Sequence, residues 1–156
     1  MSGYAKGPFA VDWEDRYDFD ELRRQRVAKV QEALAASDAG GLLVWKDENV
    51  RYLTSLRAQL LAGKTTSLNG ALLPAGGDPV LLGSGGEIDK ARFGMSWIAE
   101  AHAVPIMEQR ELVDGFDKDI LTPLLAARDM LSGKLGVDQA NISFVQSMRT
   151  HLPDVE

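Results

Sequence analysis

The apolar positions of this chain change period several times, and each change marks an element. In residues 18–41, DFDELRRQRVAKVQEALAASDAGG, Leu22, Val27, Val30 and Leu34 fall near one face of a helix while charges cover the rest. Asp18, Asp20 and Glu21 stand at its start, where acids complement the helix dipole, and Gly40 and Gly41 are expected to close it. Residues 41–46 (GLLVWK) form a short continuous apolar run, the mark of a strand covered on both faces. Two more such runs, residues 68–74 (LNGALLP) and 79–84 (PVLLGS), are separated by AGGD, which predicts an antiparallel hairpin. Residues 87–93 read as a short helix. Residues 101–107 (AHAVPIM) read as a fourth strand in which Pro105 marks an edge or the end of pairing. A long helix follows over 111–131, with Leu112, Ile120, Leu121, Leu124, Leu125 and Leu131 apolar and a kink or restart at Pro123. Residues 134–138 (KLGVD) give a fifth strand, and Ile142, Val145, Met148 and Leu152 the inner stripe of a last helix capped by Asn141.

A hairpin joined to crossover units predicts an α/β domain with a mixed five-stranded sheet and helices on both faces. It spans residues 18–153, without internal repeat or linker. Residues 1–17 have no period but carry Tyr4, Phe9, Trp13 and Tyr17 among glycine, proline and acids. They read as an arm whose rings are buried either on the body of the domain, the commoner case, or on a partner, with Trp13 expected to be buried on folding.

Composition narrows the function. The 156 residues suffice to bury roughly 70% of the unfolded surface. With no cysteine there is no disulfide framework, thiolate metal site or cysteine nucleophile, and a cytoplasmic setting is the expectation. Seventeen bases against 23 acids give a net charge of -6, which opposes binding to nucleic acid. No segment has the form of a signal peptide or membrane span, so no membrane partner is expected.

Familiar chemical motifs fail on inspection. AGKTT at 62–66 has Ala58 where a phosphate loop needs its first glycine, and GSGGE at 83–87 lacks the third glycine of a dinucleotide fingerprint. The latter reads as a turn into a helix with Ser84 as a possible cap. His102 and His151 have no partner at a chelating interval, and no nucleophile elbow is present. The element order resembles the ribonuclease H topology, but Leu42, Leu43, Val44 and Trp45 supply no acid for a two-metal nuclease site. Asp47, Glu48 and Asp138 fall at strand ends, where acids are ordinarily solvated. In DENVRYLTSL, residues 47–56, Asn49 is the expected cap of a short helix that turns Val50, Leu53 and Leu56 inward and leaves the Tyr52 hydroxyl at the surface.

The opening helix through LLVWK, the step ENVRYLTSL and the hairpin GALLPAGGDPVLL together resemble the N-terminal domain of the creatinase, prolidase and aminopeptidase P family. The sharpest part is the step formed by Asn49, Tyr52, Leu53 and Thr54. The resemblance implies a non-catalytic domain of ribonuclease H-like topology, with no catalytic or metal residue of its own. It would precede a pita-bread catalytic domain in which two Asp, one His and two Glu hold two divalent metals (Mn, Co or Zn). THLPDVE resembles the junction into that domain. The parent would be a homodimeric Xaa-Pro dipeptidase or aminopeptidase P acting on small peptides, this domain leaning over the partner's active site. The loop after the step would be the lip, with Arg57, Gln59 and Lys64 as substrate or interface contacts, and Ser55 stands where relatives often have glycine. The alternatives are a creatinase-like or sulfonium-propionate lyase-like relative, and a stand-alone small-molecule-binding or dimerisation module.

Overall fold

The computed structural model describes residues 17–57, 69–107 and 109–156. The elements run α1 (Phe19–Ala35), β1 (Ala39–Val44), α2 (Asp47–Thr54), β2 (Gly70–Pro74), β3 (Val80–Gly83), α3 (Gly85–Gly94), β4 (Ala101–Ala103), α4 (Arg110–Phe116), a π-helical turn (Asp117–Leu121), α5 (Thr122–Ala126), β5 (Lys134–Val137) and α6 (Ile142–His151). The sheet is mixed and five-stranded, in the order β4-β3-β2-β1-β5. β2 is antiparallel to β1 and β3, whereas β5 pairs parallel to β1 and β4 parallel to β3. The expected α/β architecture, the hairpin and the edge position of the fourth strand are all present. That strand is three residues long and ends before Pro105, which has no N–H to give a ladder.

Alternation along the strands explains their continuous apolar runs. Leu43, Trp45, Leu72, Val80 and Leu82 face a core completed by Val113, Phe116, Leu121, Leu124, Leu125 and Phe144 of α4, α5, α6 and the π turn. Val44, Ala71, Leu73 and Leu81 face the other core, with Leu34 of α1, Val50 and Leu53 of α2, and Ala91 of α3. Each face is sealed by helices, as the two-sided runs require. Gly40 and Gly41 do not end α1 but lie within β1. A Cβ on Gly41 would stand 2.8 Å from the Leu73 carbonyl oxygen, so the β1–β2 pairing leaves no room for a side chain there.

Helix termini follow sequence where the cap is local. Asp18 accepts from the Glu21 N–H at 2.9 Å, and Asn141 accepts from the Phe144 N–H at 2.8 Å. Asn49, in contrast, is not a cap: α2 begins two residues before it, behind Lys46. Its side-chain nitrogen instead donates to Asp138 at 2.8 Å. The same carboxylate accepts from the Trp45 N–H at 2.8 Å and the Lys46 N–H at 3.1 Å, so Asp138 is no idle acid at a strand end. At the far end of α2, Ser55 adopts the left-handed conformation, φ 59° and ψ 16°. The step that glycine makes easily is thus taken by a residue whose Cβ resists it.

The last helices depart further from their sequence patterns. Ile142 is 70% exposed, and Leu112 and Leu131 are each 42% exposed. Phe144, Ser147 and Leu152 are the fully buried positions of the terminal segment. The long helix widens just before Pro123, the Thr122 N–H reaching back to the Asp117 carbonyl, and restarts as α5 with Pro123 in its first turn. Pro123 lacks a donor and its ring crowds the preceding turn, which is a cause of such widening.

Asp117, the first residue of the π turn, is fully buried, and neither of its carboxyl oxygens has a hydrogen-bond partner. Burial pushes its pKa up to about 6, against the opposing influence of Ser147, His151 and Arg110; nearby Asp114 adds to the rise. Asp114 itself is held below its usual range by its hydrogen bonds with Arg110.

Three outcomes are expected in urea unfolding. Asp138→Ala strands three donors and should lower stability by about 1–3 kcal/mol, with Asp138→Asn in between. Ser55→Gly should raise it by at most about 1 kcal/mol, by relieving the left-handed step. The Asp117 pKa is raised on folding, so its contribution is fully present below the unfolded value of 3.8 and is lost as pH rises through about 6. Asp117→Asn should abolish that decline and exceed the native chain at pH ~8 by about 2 kcal/mol. Parallel pH profiles for the two proteins would contradict it.

Candidate functional site

Three helices on one side of the sheet turn stripes of mixed charged and apolar residues toward each other. Phe19, Leu22, Arg23 and Arg26 of α1 recur at i, i+3, i+4 and i+7, as do Glu48, Arg51, Tyr52 and Ser55 along α2 and into its cap. Lys90 and Gly94 of α3, with Met95 and Trp97 after it, form the third wall, and Arg57 closes one end. The open cleft between them has a volume of about 650 Å³.

The walls are fastened to each other. The Trp97 indole N–H donates to the Thr54 carbonyl at 2.8 Å, and the Arg23 guanidinium lies over the Trp97 ring, 3.7 Å from its centroid. Arg26 stands over Tyr52 at 5.4 Å. Lys90 donates to the Arg57 carbonyl at 2.9 Å and to Glu87 at 2.8 Å. Thr54, fully buried, accepts from the Leu56 N–H at 3.1 Å while its hydroxyl donates to the Val50 carbonyl at 2.7 Å. That buried hydroxyl fixes the turn by which the chain leaves α2.

The residues of the Asn49–Thr54 step therefore divide. Tyr52 lines the cleft, 37% exposed, while Leu53 belongs to the core, Thr54 holds the turn and Asn49 anchors to Asp138. Arg57 of the expected lip is at the cleft; Gln59 and Lys64 lie outside the described residues, as does Trp13. Arg23, Arg26 and Arg51 were not foreseen. Their signal was present as two i, i+3, i+4, i+7 stripes, but only the tertiary packing makes the stripes face each other.

Charge distinguishes this cleft. Arg23, Arg26, Arg51, Arg57 and Lys90 line it, with Glu48 as the carboxylate among them. Arg23 is paired with Asp20 and Lys90 with Glu87. Among the described residues no carboxylate pairs with Arg26 or Arg51. A second hollow of about 440 Å³ lies beside the β2–β3 turn; of its charged groups, Glu100 and Arg128 bond to each other, which leaves Asp78 as an acid on its wall. Against the effect of burial, His102 and Arg128 hold Glu100 below its usual range. No histidine lines either hollow, and among the described residues no three His, Cys, Asp or Glu stand together as a metal site. The first cleft is equipped to hold an anion.

Residues 26–156 match the creatinase/prolidase N-terminal domain family. Comparison with curated proteins finds no match. Among solved structures, the chain is similar to an Xaa-Pro aminopeptidase from Streptococcus pyogenes, at 21% identity and a TM-score of 0.59 over 87% of this chain and 89% of that one. An Xaa-Pro dipeptidase from Bacillus anthracis matches at 12% identity and a TM-score of 0.59, over 86% of this chain but 32% of its own. A prolidase from Thermococcus sibiricus matches at 14% identity and a TM-score of 0.59, over 86% of this chain and 33% of its own. At such identities the structural likeness is one of fold, and the chain spans about a third of the length of the last two. The match over residues 26–156 shows that the chain belongs to the creatinase/prolidase N-terminal domain family.

Proposed function

We propose that this chain is the non-catalytic N-terminal domain of an Xaa-Pro dipeptidase or aminopeptidase P-like metallohydrolase, where it shapes substrate access and takes part in a homodimer. The observation that carries the reading is the family match over residues 26–156, joined to a fold that covers only about a third of an Xaa-Pro dipeptidase. In this reading the domain is cytoplasmic, and the loop that begins at Arg57 and includes Gln59 and Lys64 forms the lip over a small peptide. Ser55 sets the direction in which that loop departs.

The two divalent metals of such an enzyme do not fit the described residues here, which offer no group of three ligands. Manganese, cobalt or zinc would be held by a separate catalytic domain, and no step of the hydrolysis is assigned to this chain.

Two measurements test the reading. Calorimetric titration of the chain with each metal should show no stoichiometric site tighter than about millimolar, and the chain should cleave no Xaa-Pro dipeptide; a micromolar site would overturn it. Reading the gene downstream of codon 156 should reveal an open frame encoding the two-Asp, His, two-Glu ligand set. A stop codon there would favour the stand-alone module instead.

A further inference from the structure

We propose that the cleft between α1, α2 and α3 binds an acidic peptide, two of whose carboxylates are held by Arg26 and Arg51. This goes beyond the proposed place of the domain in a hydrolase, and it holds or fails on this chain alone.

The argument begins with charge. A chain of net charge -6 places Arg23, Arg26, Arg51, Arg57 and Lys90 against Glu48 along one hollow, which concentrates positive potential there. Arg23 and Lys90 are answered from within by Asp20 and Glu87. Arg26 is engaged by the face of Tyr52, a contact that leaves the edge of a guanidinium available, and Arg51 is exposed. Each presents a planar fork of donors, the shape that meets a carboxylate through two parallel hydrogen bonds.

Shape sets the class of ligand. The hollow, about 650 Å³, falls in the range of small-ligand sites, roughly 300–1,000 Å³. Tyr52 and Trp97, each 37% exposed, offer apolar surface between the charges. Trp97 is already fixed by Thr54 and Arg23, so little order has to be created on binding. The cations stand on three separate helices with Glu48 among them, which suits single charges spaced along a chain better than one compact dianion. Glu48 can also accept from a peptide N–H.

The test is calorimetric titration of the 156-residue chain with the tripeptides Glu-Ala-Glu and Lys-Ala-Lys and with inorganic phosphate. Glu-Ala-Glu should bind at one site and weaken as salt rises, and Lys-Ala-Lys should not bind. In the R26Q/R51Q double variant, whose thermal unfolding should match that of the native chain, affinity should fall by about tenfold or more. The indole N–H resonance of Trp97, assigned with Trp97→Phe, should move during the titration. Absence of binding, equal affinity in the double variant, or phosphate binding as tightly as the peptide would each overturn the proposal. The first would leave the cations a solvated face, the second would place the site elsewhere, and the third would make the ligand a compact anion.

Discussion

A single carboxylate settles where β1 stops. β1 is paired on one side with β2 and on the other with β5. Its chain must leave the sheet at Trp45 and Lys46 with two N–H groups that neither neighbour can satisfy. Asp138, at the end of β5, accepts both and takes Asn49 as well. A charged acceptor shared by three donors is worth more than three neutral contacts at the surface. It fixes the start of α2, and through α2 it fixes the positions of Arg51, Tyr52 and Thr54. The wall of the cleft and the end of the sheet are thus one construction.

Around that point the two cores are built differently. One is aromatic: Trp45 meets Phe144 edge-on at 5.5 Å between centroids and Phe116 at 6.3 Å, and lies so close across Gly70 that a Cβ there would stand 2.6 Å from its ring. The other has no aromatic ring among its buried residues, being made of Leu, Val and Ala with Met95, and it carries the cleft on its outer side. Gln31 adds a polar rivet to this second layer. Its side-chain nitrogen donates to the carbonyls of Pro74 and Gly77 and its oxygen accepts from Gly76, so α1 grips the tip of the β2–β3 hairpin. The cleft is therefore carried on elements that are themselves braced, which is the condition for a preformed site.

Local chemistry was legible in the sequence and distant chemistry was not. The AGGD turn, the Asn141 cap and the inward set Val50, Leu53 and Leu56 could be read because each is decided within a few residues. Asn49 was misread because it has the right residue type for a cap, and its actual partner lies 89 positions away. Ile142 fits a helical stripe by spacing, but it is Phe144 and Ser147, on another face of α6, that are buried. The buried Asp117 gave no signal at all: an acid in an amphipathic helix is ordinarily outside, and only the π turn ahead of Pro123 carries it inward. Of the cleft, Arg57 and Tyr52 were found through a resemblance. Arg26 and Arg51 needed the three helices in place.

The parallel pairing of β1 with β5 also has a consequence for synthesis on the ribosome. β1 is complete once residue 44 has been made and β2 can cover one of its edges soon after, but its other edge waits for residues 134–137. During that interval the stretch Gly-Gly-Leu-Leu-Val offers open backbone donors and acceptors, and the aromatic core lacks Phe144. An apolar strand in that condition is a template for the wrong neighbour. The nascent chain is most exposed to misassembly in the long delay before its own last strand arrives.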